Sequence, residues 1–287
     1  MGIEIALTDE EIRQYAEHHR IIEKPFYQPR GNEITLFENA ITEGQAVALL
    51  GPTGCGKSRF AEYMAHKHDK PIFTISGFES VDAGEILGTP MATGTGTKFF
   101  PGDLYIGAKT GGYVHAEEIL EMNEDVLPLF HGITDWRRRL TVKDTGEVIP
   151  LQKESMIIIS MNPGTAYQKA SKRFPKPSFI QRFVVIPFQY IRGEEGAHIL
   201  HKETGIEEKI ARKLNMLAEN IDKSQASGQW ASVRESAGYH ALRNTALQIK
   251  AGTPPLEAID SGISRTLTHD EQIIDAINDL AKGIFKG

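Results

Sequence analysis

The chain has 287 residues, 40% of them hydrophobic, enough to bury a full-sized core in one large domain or two modest ones. A formal net charge of −6 gives no overall basic field to hold a nucleic-acid backbone, which disfavours nucleic acid as a partner. The single cysteine, Cys55, excludes an intramolecular disulfide and a cysteine-built metal framework and fits a reducing cytoplasm.

Thr8 followed three residues later by Glu11 is a capping-box signature, and Ile12, Tyr15, Ala16 and His19 recur at helical spacing, so a short helix is predicted that ends before Pro25. The same opening stretch has acidic residues and histidines where a signal peptide needs a basic run and an apolar block. Short apolar runs then follow at 46–50, 71–75, 112–116, 156–161 and 183–187, each of the kind found in strands buried on both faces of a parallel sheet. Helical patterns at 58–68 and 118–130 separate them, giving the alternation of a doubly wound α/β domain with a five-stranded sheet. Residues 91–98 are rich in Gly and Thr and read as a mobile surface loop. After Tyr190 the strand signal stops; helices are predicted at 194–204, 206–224, 233–250 and 269–285, so a smaller all-helical domain follows. The expected division is 1–24 as a lead-in helix, 25–190 as the α/β domain and 191–287 as a helical lid. No run approaches the ~18 apolar residues of a membrane span, so direct membrane insertion is not expected.

Gly51-Pro52-Thr53-Gly54-Cys55-Gly56-Lys57-Ser58 matches G-x-x-x-x-G-K-[ST] in full and lies between a predicted strand and a predicted helix. The glycines let the backbone curl so that its N–H groups point at phosphate, while the helix presents its positive end to the same charge. In this pattern Lys57 binds the β- and γ-phosphates of ATP and Ser58 holds Mg²⁺. Cys55 reads as a tolerated small residue inside the loop.

Such a loop needs acidic residues at the end of another buried strand, one to hold Mg²⁺ through water and one to polarise the attacking water. Glu117 and Glu118, after the run 112–116, are the candidates. Asp is usual at the first position; the extra methylene of Glu117 shifts the metal by about an ångström, an error that can cost ~10²-fold in rate, and so points to slow or partner-dependent turnover. His115 just before the pair is expected to be a packed residue. Asn162 follows the strand 156–161 at a carboxyl end, where α/β folds bind ligands, and is placed to orient the lytic water. Arg182, just before the last strand, could reach a neighbouring subunit's γ-phosphate. Arg234, at the start of a predicted helix in the second domain, could touch the phosphates and link nucleotide state to domain angle. The run Arg137-Arg138-Arg139 is either a solvated face or a contact with a neighbour or its nucleotide, and the three arginines receive no individual roles.

The order of phosphate loop, acidic pair, Asn after a strand, Arg before a strand and Arg in a helical lid resembles the AAA+ superfamily and, more closely, its MoxR branch. Pro25-Phe26-Tyr27-Gln28-Pro29-Arg30-Gly31-Asn32-Glu33, the phosphate loop with Arg59-Phe60, Thr134-Asp135-Trp136-Arg137-Arg138 and Ser160-Met161-Asn162-Pro163-Gly164 resemble the CbbQ/NirQ/NorQ family. That resemblance implies a hexameric, cytoplasmic ring that works with a von Willebrand factor A-domain partner, hydrolyses ATP and remodels a target enzyme: Rubisco, or a nitric-oxide or nitrite reductase. It also implies that 51–58 is Walker A, Glu117 and Glu118 Walker B, Asn162 sensor 1, Arg182 an arginine finger and Arg234 sensor 2. Glu117 departs from the family's usual Asp, and 91–100 falls where the family carries a pore-facing loop, with glycines that are not expected there. Two other functions fit the residues less completely: a nucleotide-gated assembly scaffold with negligible turnover, and a P-loop small-molecule kinase.

Overall fold

The computed structural model describes residues 3–94, 96–162, 176–230, 233 and 235–286. These form two compact units, one of residues 3–51, 57–162 and 176–187, the other of residues 52–56 and 188–286.

In chain order the first unit contains β1 (Glu4–Ile5), α1 (Asp9–His18), α2 (Glu33–Glu43), β2 (Ala46–Leu50), α3 (Lys57–Lys67), β3 (Ile72–Ser76), α4 (Ala83–Leu87), β4 (Gly88–Thr93), β5 (Gly96–Pro101), α5 (Asp103–Thr110), β6 (Tyr113–Glu117), α6 (Leu127–Ile133), β7 (Arg139–Val142), β8 (Glu147–Pro150), β9 (Met156–Met161), α7 (Pro177–Ile180) and β10 (Phe183–Pro187). Five of the strands form one parallel sheet in the order β10-β2-β9-β6-β3, as the apolar runs predict. The central strand β9 is buried along its whole length, and Val47, Ala48 and Leu49 of β2 are fully buried. Unbroken aliphatic runs suit such strands because helices cover both faces and leave no wet side to mark with polar residues. The capping box forms as read: the Thr8 N–H donates to the Glu11 carboxylate at 2.8 Å and the Thr8 hydroxyl accepts from the Glu11 amide.

Three expectations are corrected. Residues 118–130 are not one helix but a single 3₁₀ turn, Ile119–Glu121, followed by α6. Glu118 takes a left-handed backbone (φ 43), the Asn123 amide is drawn to the Val81 carbonyl at 3.1 Å, and Pro128 suits only the first turn of a helix. Residues 91–93 and 96–98 are strand and not loop: β4 and β5 pair antiparallel from Gly88↔Pro101 to Thr93↔Gly96, and β1 adds in parallel to β5. Glycine and threonine read as loop by composition, but Gly96 (φ 134) serves the tight reversal and Thr93 Oγ1 ties it by donating to the Gly96 carbonyl at 2.8 Å. A further hairpin, β7 and β8, was not expected.

The second unit is helical beyond Phe188, with α8 (Gly193–Thr204), α9 (Glu208–Ala226), α10 (Tyr239–Lys250), α11 (Pro255–Ile259) and α12 (Glu271–Lys286); a π-turn, Asp260–Ser264, extends α11. Ala211, Leu214, Leu217, Ala218 and Ile221 of α9 recur every three or four residues and face the unit's core with Leu200, Leu242 and Ile277. The helix predicted at 233–250 is corrected to start at Tyr239, with Gly238 as its N-cap. Ahead of it the Ser236 hydroxyl bonds the Asp222 carboxylate, which also pairs with Arg192 at 2.7 Å, and this side-chain network replaces the first predicted helical turns.

Candidate nucleotide-binding site

The site begins with strand register. β2, β9 and β6 are neighbours, Leu50 lies opposite Met161, and Ala116 lies opposite Ile159. Gly51, Asn162 and Glu117 therefore leave the same end of the sheet, the carboxyl end, and the Gly51 N–H donates to the Met161 carbonyl at 3.2 Å. Gly54 and Gly56 curl the loop with φ of 72 and 98, values that side chains resist. The curl feeds directly into α3, whose first residue is Lys57, so the amides of the helix's first turn open toward the loop.

Lys57 is 6% exposed, and its ammonium donates to the Gly51 carbonyl at 2.8 Å and lies 3.7 Å from the Glu118 carboxylate. The Ser58 hydroxyl donates to the Glu117 carboxylate. The longer Glu117 side chain thus does reach the serine that the motif pairs with it. A hydroxyl and a carboxylate in contact suit Mg²⁺, a hard cation that takes few protein oxygens and keeps several waters. Among the described residues no group of three or more His, Cys, Asp or Glu could hold a metal.

His115 is buried, as expected of a packed residue, but it packs beside the site: its Nδ1 lies 3.8 Å from Glu117 Oε1, and its Nε2 has no hydrogen-bond partner among the described residues. Burial, reinforced by the nearby Lys57 charge, pushes its pKa down to about 3 and keeps the imidazole neutral. Sequence reasoning missed Gly77. A Cβ there would fall 2.4 Å from the Glu118 carbonyl oxygen and 2.5 Å from that of Glu117. The turn after β3 thus presses its backbone on the acidic pair, and Glu118 is held left-handed beside it, a conformation that costs a non-glycine residue ~1 kcal/mol or more. Nothing in a Ser-Gly dipeptide announces this.

The loop tip, residues 52–56, belongs to the second unit. There the Tyr190 hydroxyl donates to the Thr53 carbonyl at 3.1 Å, the Tyr239 N–H donates to the Gly54 carbonyl at 3.0 Å, and the Thr53 hydroxyl donates to Glu235 at 3.3 Å. Gly238 makes this possible, since a Cβ on it would lie 2.9 Å from the Thr53 carbonyl oxygen. Cys55 is buried and forms no disulfide.

Arg182 is not brought to this cluster. It precedes β10, and Phe183 lies opposite Ala46, the first residue of β2, whereas the phosphate loop leaves the last. A strand of five residues at ~3.3 Å each separates the two ends. Arg182 instead donates to the His131 carbonyl at 3.4 Å. Of the basic run, Arg138 is structural: left-handed at φ 46, it donates to the carbonyls of Ser155, Gln152 and Lys153 at 2.8, 3.2 and 3.4 Å. Arg137 pairs with Asp135, and Arg139 is exposed at the start of β7. Arg234 lies outside the described residues.

A parallel sheet with a phosphate loop after β2, an acidic pair after β6 and a helical unit beyond it defines a P-loop nucleotide-binding ATPase of AAA type. Residues 46–183 match the AAA domain (dynein-related subfamily), and residues 196–284 match the CbbQ/NirQ/NorQ C-terminal model. The chain is 33% identical to the denitrification regulatory protein NirQ of Pseudomonas aeruginosa, over 89% of this chain and 96% of that one. It is likewise 33% identical to the protein CbbQ of Hydrogenophilus thermoluteolus (91% and 96% covered) and 31% identical to the protein NorQ of Paracoccus denitrificans (92% and 95%). The chain belongs to the CbbQ/NirQ/NorQ family of AAA+ ATPases, which leaves the small-molecule kinase without support. Among the described residues no helix is long and apolar enough to cross a membrane.

Proposed function

We propose that this chain is an ATP-driven remodelling motor, cytoplasmic and assembled as a ring, six subunits being the expected number. With a von Willebrand factor A-domain partner it activates a target enzyme, Rubisco or a denitrification reductase. The observation that carries the reading is the meeting of Lys57 and Ser58 with Glu118 and Glu117 at one sheet end. In this reading the loop amides of 51–56 and Lys57 hold the triphosphate of ATP, and Ser58 with Glu117 holds Mg²⁺, which offsets phosphate charge when bound. Glu118 polarises the attacking water, and Asn162 orients it. Lys57 lies 3.7 Å from the Glu118 carboxylate, so the cation that meets the phosphates sits beside the group that polarises the water. Arg182, a strand's length from its own loop, serves a neighbour's nucleotide, and Arg234 takes the sensor 2 role.

Lys57→Ala is expected to abolish ATP binding in calorimetry, and Glu118→Gln to bind ATP normally while losing at least ~10²-fold in phosphate release. Wild-type affinity in the first or wild-type turnover in the second would remove the assignment. A nucleotide-gated scaffold stays as a second reading, favoured by Glu117 standing where Asp is usual. It predicts phosphate release at background level even with the A-domain partner present.

A further inference from the structure

The end of the sheet opposite the phosphate loop carries a built projection. The turn Thr134–Arg138 follows α6 and is fixed from several sides. Thr134 Oγ1 donates to the Phe130 carbonyl at 2.7 Å, Asp135 accepts from the Arg137 amide at 2.8 Å and from its Nε at 2.9 Å, and the left-handed Arg138 clamps the 152–155 carbonyls. Gly44 leaves room for that clamp, since a Cβ on it would strike Arg138. Gly44 immediately precedes Gln45 and β2, Ser155 precedes β9 and Arg182 precedes β10, so the turn sits along the amino ends of three adjacent strands. On top of this immobilised turn stands Trp136, 90% exposed. An aromatic that large is normally at least half covered, and a turn held by so many polar contacts gives it little freedom to find cover within the chain.

Arg182 marks the same face: it donates to the carbonyl of His131 in α6, and its charge is felt at Asp135, whose carboxyl is held low first by Arg137 and in lesser part by Arg182. A guanidinium at the amino ends cannot serve the phosphate loop at the carboxyl ends of its own sheet. The two faces therefore differ, and this guanidinium can meet a phosphate loop only on a second copy. A contact between unlike faces is heterologous and propagates head to tail, closing into a ring when the rotation allows.

We infer that Trp136 is the anchor of this contact: it buries against the nucleotide-bearing face of the next copy of the chain and positions that copy for Arg182. The inference rests on the trans role proposed for Arg182 and adds the residue that holds the interface. A rigid, exposed tryptophan beside an arginine is the composition that dominates association energies.

The test uses the full chain with Mg-ATP. Trp136→Ala is expected to keep the wild-type thermal midpoint, because its side chain touches solvent, yet to raise the concentration for half-assembly at least about tenfold in mass photometry. Trp136→Phe should restore part of the loss. The other tryptophan, Trp230, is buried. The Trp136→Phe protein therefore supplies the background, and the quenchable fluorescence that wild type has beyond it should fall when the chain assembles. Assembly that is sensitive to Arg182→Ala but unchanged in Trp136→Ala, with Trp136 still open to acrylamide, would overturn this inference alone. A chain that stays monomeric at every nucleotide and concentration would overturn it together with the trans role of Arg182.

Discussion

Gly77 has no room for a methyl group, because the Glu117 and Glu118 carbonyls crowd the place where one would go. Gly77→Ala is expected to push the acidic pair off Ser58 and Lys57 while leaving the sheet intact, since the clash falls after β3 ends. A displacement of an ångström at such a site costs ~10²-fold in rate, so phosphate release should drop by about that factor with the far-ultraviolet spectrum unchanged. Equal rates would mean that the turn yields without moving the acids. His115 supplies a second prediction at this scale. Its folded pKa of about 3 lies below the ordinary 6.5, so the unfolded chain takes up a proton first as pH falls. Its contribution to stability is complete above pH 6.5 and is lost progressively toward pH 3, by at most ~1.4 kcal/mol per pH unit. In buffer with EDTA, the wild-type unfolding free energy should fall more steeply between pH 6.5 and pH 4 than that of His115→Gln; parallel curves would count against a buried neutral imidazole.

At the level of elements, the turn between α6 and β7 shows how one side chain can organise a connection. Arg138 fills three carbonyl acceptors ahead of β9, and burial lowers its own pKa, which raises the cost of leaving those partners unmatched. Arg138→Ala should lower stability by ~2–3 kcal/mol in urea unfolding, and Arg138→Lys should not restore it, because an ammonium is a single compact donor centre and lacks the two-nitrogen fork that meets the three carbonyls. A full rescue by lysine would show that charge and not shape matters there. The arginine run in the sequence marked this place as basic but could not separate Arg138 from its neighbours; the separation depends on carbonyls 14 to 17 residues away. The helix expected at 118–130 failed for a related reason: its apolar spacing is helical, but the amide of Asn123 is claimed by Val81, a partner that local pattern does not contain.

For the whole molecule the consequential feature is polarity: the phosphate loop and acids at the carboxyl ends of the sheet, and Arg182 at the amino ends. If Arg182 acts on a neighbour, Arg182→Ala subunits and Lys57→Ala subunits, each inactive alone, should recover part of the ATPase rate when mixed. Each would supply the group the other lacks at a fraction of the interfaces. An equimolar mixture is expected to regain roughly a quarter of wild-type activity if subunits assort at random and sites act independently. No recovery at any ratio would place the arginine's role within one chain or outside catalysis.

The eight residues of the phosphate loop, the five parallel strands and the acid pair were legible in the chain itself. Each depends on local chemistry: glycines where the backbone must curl, unbroken aliphatic runs where both faces are covered, carboxylates where a buried strand ends. Only the tertiary structure decided that Gly77 presses on the acids, that 88–101 pair as a hairpin, that helix α10 begins at Tyr239, and that Arg138 is a clamp while Trp136 stands free. Those outcomes rest on contacts between residues far apart in the chain, and a backbone amide or a missing Cβ has no sequence signal until its distant partner is in place.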